Sequence, residues 1–193
     1  IFFKVPGSKF SVSKLKPQTN VFYDLLEIFV TLNIFDLYLN KPIKTLHVSL
    51  TCEDSNECVQ MVRETYEDDS FLNFSDNNDE MYKAITNSKF DFMFFNKPQT
   101  DINLYIIKLI EFVMTILRYQ ANGGTSIIKI DSIFHKPIVD LIYLLSSLFE
   151  KVYIIKPNTN NITTFEKYIV CKNYNVICDT KLEMHKRYNK RDQ

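Results

Sequence analysis

The chain has 193 residues, 46% of them hydrophobic, which is enough for one domain with a full core. Its 23 basic and 23 acidic side chains cancel, so no global charge advertises nucleic acid or a membrane surface. No apolar run approaches the roughly 18 to 20 residues of a membrane span and no signal-peptide pattern opens the chain, so a soluble, cytoplasmic protein is expected.

Residues 1–19 carry Lys4, Lys9, Lys14 and Lys16 without an acid, among Pro6, Gly7 and Pro17, and read as an irregular basic arm. The chain begins with Ile1, not Met, and is expected to be a piece of a larger polypeptide. Val21, Phe22, Leu25, Leu26, Ile28, Phe29, Leu32 and Phe35 follow a helical period from Asn20 to Leu39, ending before Lys41-Pro42. Thr45 to Leu50 is the first strand. Residues 52–80 hold ten carboxylates against the single Arg63. This acidic flank contains a helical stretch from Cys52 to Tyr66, a second strand from Phe71 to Phe74 and the turn Ser75 to Asp79.

A short helix over Glu80 to Thr86 leads to Phe90–Phe95 (FDFMFF), an apolar run of the length of a central strand covered on both faces. After Asn96-Lys97-Pro98, Ile102, Tyr105, Ile106, Leu109, Val113, Ile116 and Leu117 mark one side of a helix over Asp101 to Tyr119. Gly123-Gly124 reads as the turn that breaks it. Thr125 to Ile130 is a strand with Lys129 set into it, His135 to Phe149 a helix, and Val152 to Ile155 a strand closed by Lys156-Pro157. A last strand, Lys167 to Cys171, has Glu166 at its mouth. Strands alternating with helices predict a parallel sheet, while the short polar link from Ile155 to Lys167 makes the final two strands antiparallel neighbours. Residues from 179 on form a charged tail.

The cysteines Cys52, Cys58, Cys171 and Cys178 lack CxxC spacing and read as reduced thiols, not as disulfides or a zinc site. Lys129 and Glu166 are the only catalytic-looking pair. Their bland readings are a lysine snorkelling to solvent and a surface acid paired with Lys156 or Lys167. His47 reads as packed or hydrogen-bonded beneath the sheet, and His135 as a polar residue at a helix start. Scattered lysines (Lys136, Lys156, Lys172 and those of the arm) are candidates for phosphate contacts, and Tyr23, Tyr153, Tyr168 and Phe165 for stacking on bases. Abundant Asn, Lys, Ile, Phe and Tyr point to an AT-rich genome, as in some large DNA viruses or parasites.

The succession FDFMFFNKP, helix, GGTSIIKI, helix, FEKVYIIKP and FEKYIVCKN, covering Lys89 to Asn173, resembles the second half of the FtsJ-like ribose 2'-O-methyltransferases, including viral cap-methylating members. The resemblance implies a Rossmann-like α/β fold of the S-adenosylmethionine (SAM) methyltransferases, mostly parallel with a terminal antiparallel strand and helices on both faces, over residues 20–178. It also implies a Lys-Asp-Lys-Glu tetrad that orients or deprotonates a ribose 2'-hydroxyl, a poor nucleophile, through a lysine held among charges. Lys129 matches the second lysine and Glu166 the glutamate. Asn96 stands at the aspartate and Asp24 at the first lysine, with Lys14 or Lys16 as substitutes in another register.

The family's cofactor loop follows its first strand and is rich in glycine, because SAM approaches the backbone where a Cβ would intrude. Here Thr51-Cys52-Glu53-Asp54-Ser55-Asn56 has no glycine, and its carboxylates are expected to crowd the site. Asp76 is the candidate acceptor for the cofactor's ribose, with a turn-forming aspartate as its bland reading. SAM is the cofactor if the domain is active, and none is needed if it is not. The expectation is a catalytically degenerate domain that binds capped RNA or stimulates a protein partner such as a capping-enzyme subunit, with no membrane or DNA involved. An active enzyme with a divergent cofactor loop and a structural virion or scaffold protein are the alternatives.

Overall fold

The computed structural model describes residues 17–64, 67–98 and 101–175. The basic arm through Lys16, Cys178 and the charged tail lie outside them. The chain runs α1 (Val21–Leu32), a 3-10 turn (Asp36–Tyr38), β1 (Lys44–Ser49), α2 (Cys52–Val62), β2 (Ser70–Phe74), α3 (Asp79–Ile85), β3 (Phe90–Asn96), α4 (Ile102–Tyr119), β4 (Gln120–Ile130), α5 (Lys136–Leu148), β5 (Phe149–Ile155) and β6 (Lys167–Tyr174). The strands form one sheet in the order β2-β1-β3-β4-β6-β5. The pairs β1–β2, β1–β3 and β3–β4 are parallel, whereas β6 runs antiparallel to both β4 and β5. The expected class and the antiparallel final pair are both present.

Strand alternation divides the core. Phe92, Phe94, Ile127, Tyr168 and Val170 pack under α1 and α2 with Phe22, Leu25 and Phe29. Met93, Phe95, Ile128, Ile169 and Cys171 pack on the opposite face against Phe112 and Ile116 of α4 and Ile138 and Leu145 of α5. Burying each phenylalanine contributes roughly 1.5–3 kcal/mol, which is why a run as apolar as β3 sits between two layers. The same period places Ser49, Asn96 and Lys129 on the α1/α2 face, at the C-terminal edge of the sheet.

Two local expectations are corrected. The first helix stops at Leu32, not Leu39, because Asn33 turns left-handed with φ 50° and its N–H closes on the Phe29 carbonyl. Lys172 then donates to the Leu32 carbonyl at 2.5 Å, so this lysine caps the helix. Gly123-Gly124 is not the turn that ends α4, since both residues lie inside β4. Phe90 pairs with Gln120 and Phe92 with Thr125, so the stretch from Ala121 to Gly124 bulges opposite Asp91. Gly123 has φ +76°, and a Cβ on Gly124 would come within 2.1 Å of Gln120 Nε2 and 3.0 Å of the Asp91 carbonyl. The Gln120 amide fills the bulge, donating to the Phe90 carbonyl at 2.9 Å.

The acidic flank is partly structural. Asp69 is buried against Arg63 at 2.5 Å and accepts the Ile43 N–H. Asp54, expected to crowd a cofactor, instead accepts the backbone N–H groups of Gln18 and Thr19 at 2.7 and 2.8 Å, fixing the entry to α1. Cys52, Cys58 and Cys171 are buried free thiols. His47 is packed beneath the sheet against Phe71, Phe92 and Phe94. Among the described residues no helix is long and apolar enough to cross a membrane.

Candidate active site

Four elements meet at the C-terminal edge of the sheet: α1, the end of β4, the start of β6, and the polar link from Pro157 to Glu166. That link is rich in asparagine and threonine, whose polar groups need partners. Two carboxylates one turn apart on α1 supply them. Glu27 accepts from Asn158 N at 3.0 Å, Asn158 Nδ2 at 2.9 Å and Thr159 N at 3.2 Å. Asp24, 1% exposed, accepts from Thr159 Oγ1 at 2.7 Å through one oxygen, and from Asn160 Nδ2 and Tyr168 Oη, both at 2.9 Å, through the other. Three neutral donors therefore satisfy a buried carboxylate that has no ion pair among the described residues. Burial, with the Asp24 charge second, pushes the Tyr168 phenol well above its ordinary value, which keeps it a donor. Tyr168 is wholly buried and is not available to stack on a base.

Lys129 Nζ lies 3.1 Å from Glu166 Oε1, with 14% of the lysine side chain exposed. The ammonium is thus paired and not snorkelling, and Glu166 is paired with Lys129 and not with Lys156 or Lys167. Asn160 Nδ2 reaches Glu166 Oε2 at 3.3 Å as well as Asp24. The result is a continuous chain Lys129, Glu166, Asn160, Asp24, Tyr168, in which one amide joins two carboxylates. Asn96 donates to Ser49 Oγ at 3.3 Å, across the register pair that joins β3 to β1. This is the point where the strand order reverses and where open α/β sheets bind their ligands.

The neighbouring ends of β1, β2 and β3 frame a cleft of about 140 Å³ lined by Leu50, Asp76, Lys97, Pro98, Tyr105 and Lys108 among others. Asp76 faces two lysines, Lys97 and Lys108, each at 3.5 Å. Burial works against the Lys108 ammonium, but its hydrogen bond to Glu111 and the Asp76 charge outweigh that and raise its pKa. Only Leu50 and Thr51 separate β1 from α2. The Cys52 thiol turns back under them and donates to the Ser49 carbonyl at 3.1 Å.

A family model for FtsJ-like methyltransferases matches residues 26–174. The chain belongs to that family. It is 38% identical over 63 residues to a Drosophila melanogaster protein named cap-specific mRNA (nucleoside-2'-O-)-methyltransferase 2, a match covering 33% of this chain and 9% of that protein. The matched stretch spans about a tenth of the length of such curated relatives. A ribosomal RNA methyltransferase structure from Plasmodium falciparum superposes with a TM-score of 0.60 at 19% identity, over 81% of this chain and 98% of that one. A Streptococcus mutans methyltransferase in complex with SAH does so with a TM-score of 0.51 at 12% identity, over 76% and 97% of the two chains. The last two likenesses concern the fold.

Within the FtsJ-like frame, the positions matched to the tetrad divide. Lys129 and Glu166 are in contact, Asp24 reaches them through Asn160, and Asn96 is engaged by Ser49. Sequence reasoning missed Asn160, Lys97 and Lys108. An asparagine in a polar loop carries no signal of its own. The two lysines gain meaning only once Asp76 is placed between them.

Proposed function

We propose that this FtsJ-like domain binds RNA, in particular the 5' region of capped mRNA, within a capping or RNA-processing assembly and does not itself transfer a methyl group. Asp24 carries the reading. The resemblance expects a lysine there, and Asp24 is a buried carboxylate whose two oxygens are already taken by Thr159, Asn160 and Tyr168. A carboxylate in that place repels charge from the Glu166 side and offers no ammonium to a 2'-hydroxyl. Asn96 likewise keeps the shape of an aspartate without its charge. Lys129 is left with one acidic partner, and the array that would tune it for proton abstraction is incomplete.

The cofactor side points the same way, since its residues do not fit SAM as they stand. Both residues of the β1–α2 link carry a Cβ, the acid suited to a ribose is neutralised by Lys97 and Lys108, and the cleft of about 140 Å³ is below the roughly 300–1,000 Å³ usual for ligands of that size. RNA as the ligand class follows from the names of the relatives, and stimulation of a protein partner is the role such a domain would retain.

Calorimetry with SAM and a methylation assay on capped RNA decide the matter. No binding at micromolar concentration and no incorporated methyl group are expected. Turnover that Lys129→Ala abolishes would overturn the proposal in favour of an active enzyme with a divergent loop.

A further inference from the structure

Beside the Lys129–Glu166 pair the chain exposes aromatic surface that packing does not account for. Phe134, in the β4–α5 connection, and Phe165, immediately before Glu166, are 73% and 62% exposed. Their rings meet edge to face, with centroids 5.6 Å apart and planes at 75°, an arrangement that leaves ring faces open to solvent. Elements distant in sequence thus converge to hold two phenyl rings in water. Neighbouring cations give the surface its sign. Lys129 is neutralised by Glu166 at 3.1 Å and Lys136 by Asp140 at 2.7 Å. Lys167 Nζ instead donates to the Phe165 carbonyl at 3.2 Å, and Lys156 Nζ to the Thr164 carbonyl. Neither meets a carboxylate among the described residues. Among the described residues, two ammonium groups without a carboxylate partner are therefore anchored within one residue of the Phe165 ring.

Open aromatic faces with adjacent unpaired cations match what unpaired nucleotides present, a π-face on each base and a negative charge on each phosphate. An apolar protein partner would use the rings and leave the lysines unexplained. We propose that Phe134 and Phe165 form a stacking platform for bases of single-stranded RNA, with Lys156 and Lys167 contacting the flanking phosphates. The platform rests on the RNA-binding reading above, but it stands whether or not the domain transfers methyl groups.

Fluorescence anisotropy with a labelled single-stranded RNA of roughly ten nucleotides tests it. Phe134→Ala and Phe165→Ala are each expected to weaken binding roughly five- to tenfold, the lower part of the range for a base stacked on an aromatic ring. Because both rings are exposed, melting curves should not move. The double variant Lys156→Ala, Lys167→Ala should lower the slope of log affinity against log salt by roughly 1.4, the release expected for two phosphates of a single strand. Leu39→Ala, which removes an equally exposed apolar side chain elsewhere (70% exposed), should leave affinity unchanged. If wild type binds RNA and the double phenylalanine variant binds it as tightly, the platform is wrong while the RNA reading survives. If that variant instead abolishes a self-association seen by sedimentation and leaves RNA binding intact, the rings are a protein contact and the proposal falls. Absence of RNA binding by wild type overturns both, whereas methyl transfer would overturn only the inactive reading.

Discussion

The two halves of the sheet's C-terminal edge differ in how they compare with the pattern that the resemblance implies. At β4 and β6, Lys129 and Glu166, which match two tetrad positions in the resemblance, are in contact, and Asp24 is held by neutral donors in a tight buried network. At β1, β2 and β3 a two-residue link without glycine stands where the resemblance implies a glycine-rich loop, and Asp76 is held by lysines at 3.5 Å in a cleft. The first half is a clasp that joins α1 to the last strands. The second is a loosely paired opening. One architecture accommodates different chemistries at its strand edges, provided that each buried polar group finds a partner.

The largest effect is expected at the clasp. Asp24→Ala leaves the buried Tyr168 hydroxyl without its acceptor and the Asn160 amide with only its longer contact to Glu166, at roughly 1–3 kcal/mol for each donor left buried and poorly paired. A net loss of about 3–5 kcal/mol in chemical denaturation is expected, with Asp24→Asn costing less. A loss under 1 kcal/mol for the alanine variant would show that the network is not a clasp and would erase the contrast between the halves.

The second effect belongs to the other half, beneath α2. His47 is fully buried, with Nδ1 against Ser55 Oγ at 2.7 Å and Nε2 without a partner among the described residues. Burial lowers its pKa from 6.5 to about 3. The unfolded chain therefore takes up a proton at a pH where the folded one does not, so stability is complete above 6.5 and falls as the pH drops toward 3. His47→Phe removes the titrating group and should flatten the curve of stability against pH over that window. An unchanged curve would show that His47 does not contribute to the acid loss.

These residues also show how far the sequence carries. The 3.6-residue period of α4, the apolar run of β3 and the polar link before β6 imposed the layers and the antiparallel last pair, because each follows from local burial. Lys129 and Glu166 stood out because a charge inside or at the mouth of a strand needs a partner. What pairs with what was not legible. Tyr168 read as a base-stacking ring, and only the fold shows that its hydroxyl is committed to a carboxylate 144 positions away. Gly123-Gly124 is compatible with a turn or a bulge, and the choice depends on how β3 meets β4 and on the Gln120 amide that fills the gap. Asp54 looked like an obstruction near the cofactor loop and proved to be a tether for the backbone entering α1.

The smallest effect is expected in the cleft. The Asp76 side chain is 39% exposed and stands 3.5 Å from each lysine, so each pair contributes at most about 1 kcal/mol and is screened by salt. Asp76→Asn should shift stability by less than that in low salt and by almost nothing in high salt, as read from denaturation midpoints at two ionic strengths. The result bears on the comparison because a weak pair is also one that a ligand can displace. If Asp76→Asn proves costly and insensitive to salt, the cleft is locked as firmly as the Asp24 clasp. If the cost is small and wild type nonetheless binds SAM in calorimetry, with Asp76→Asn weakening it, then the opening yields to the cofactor and the inactive reading rests on the Asp24 half alone.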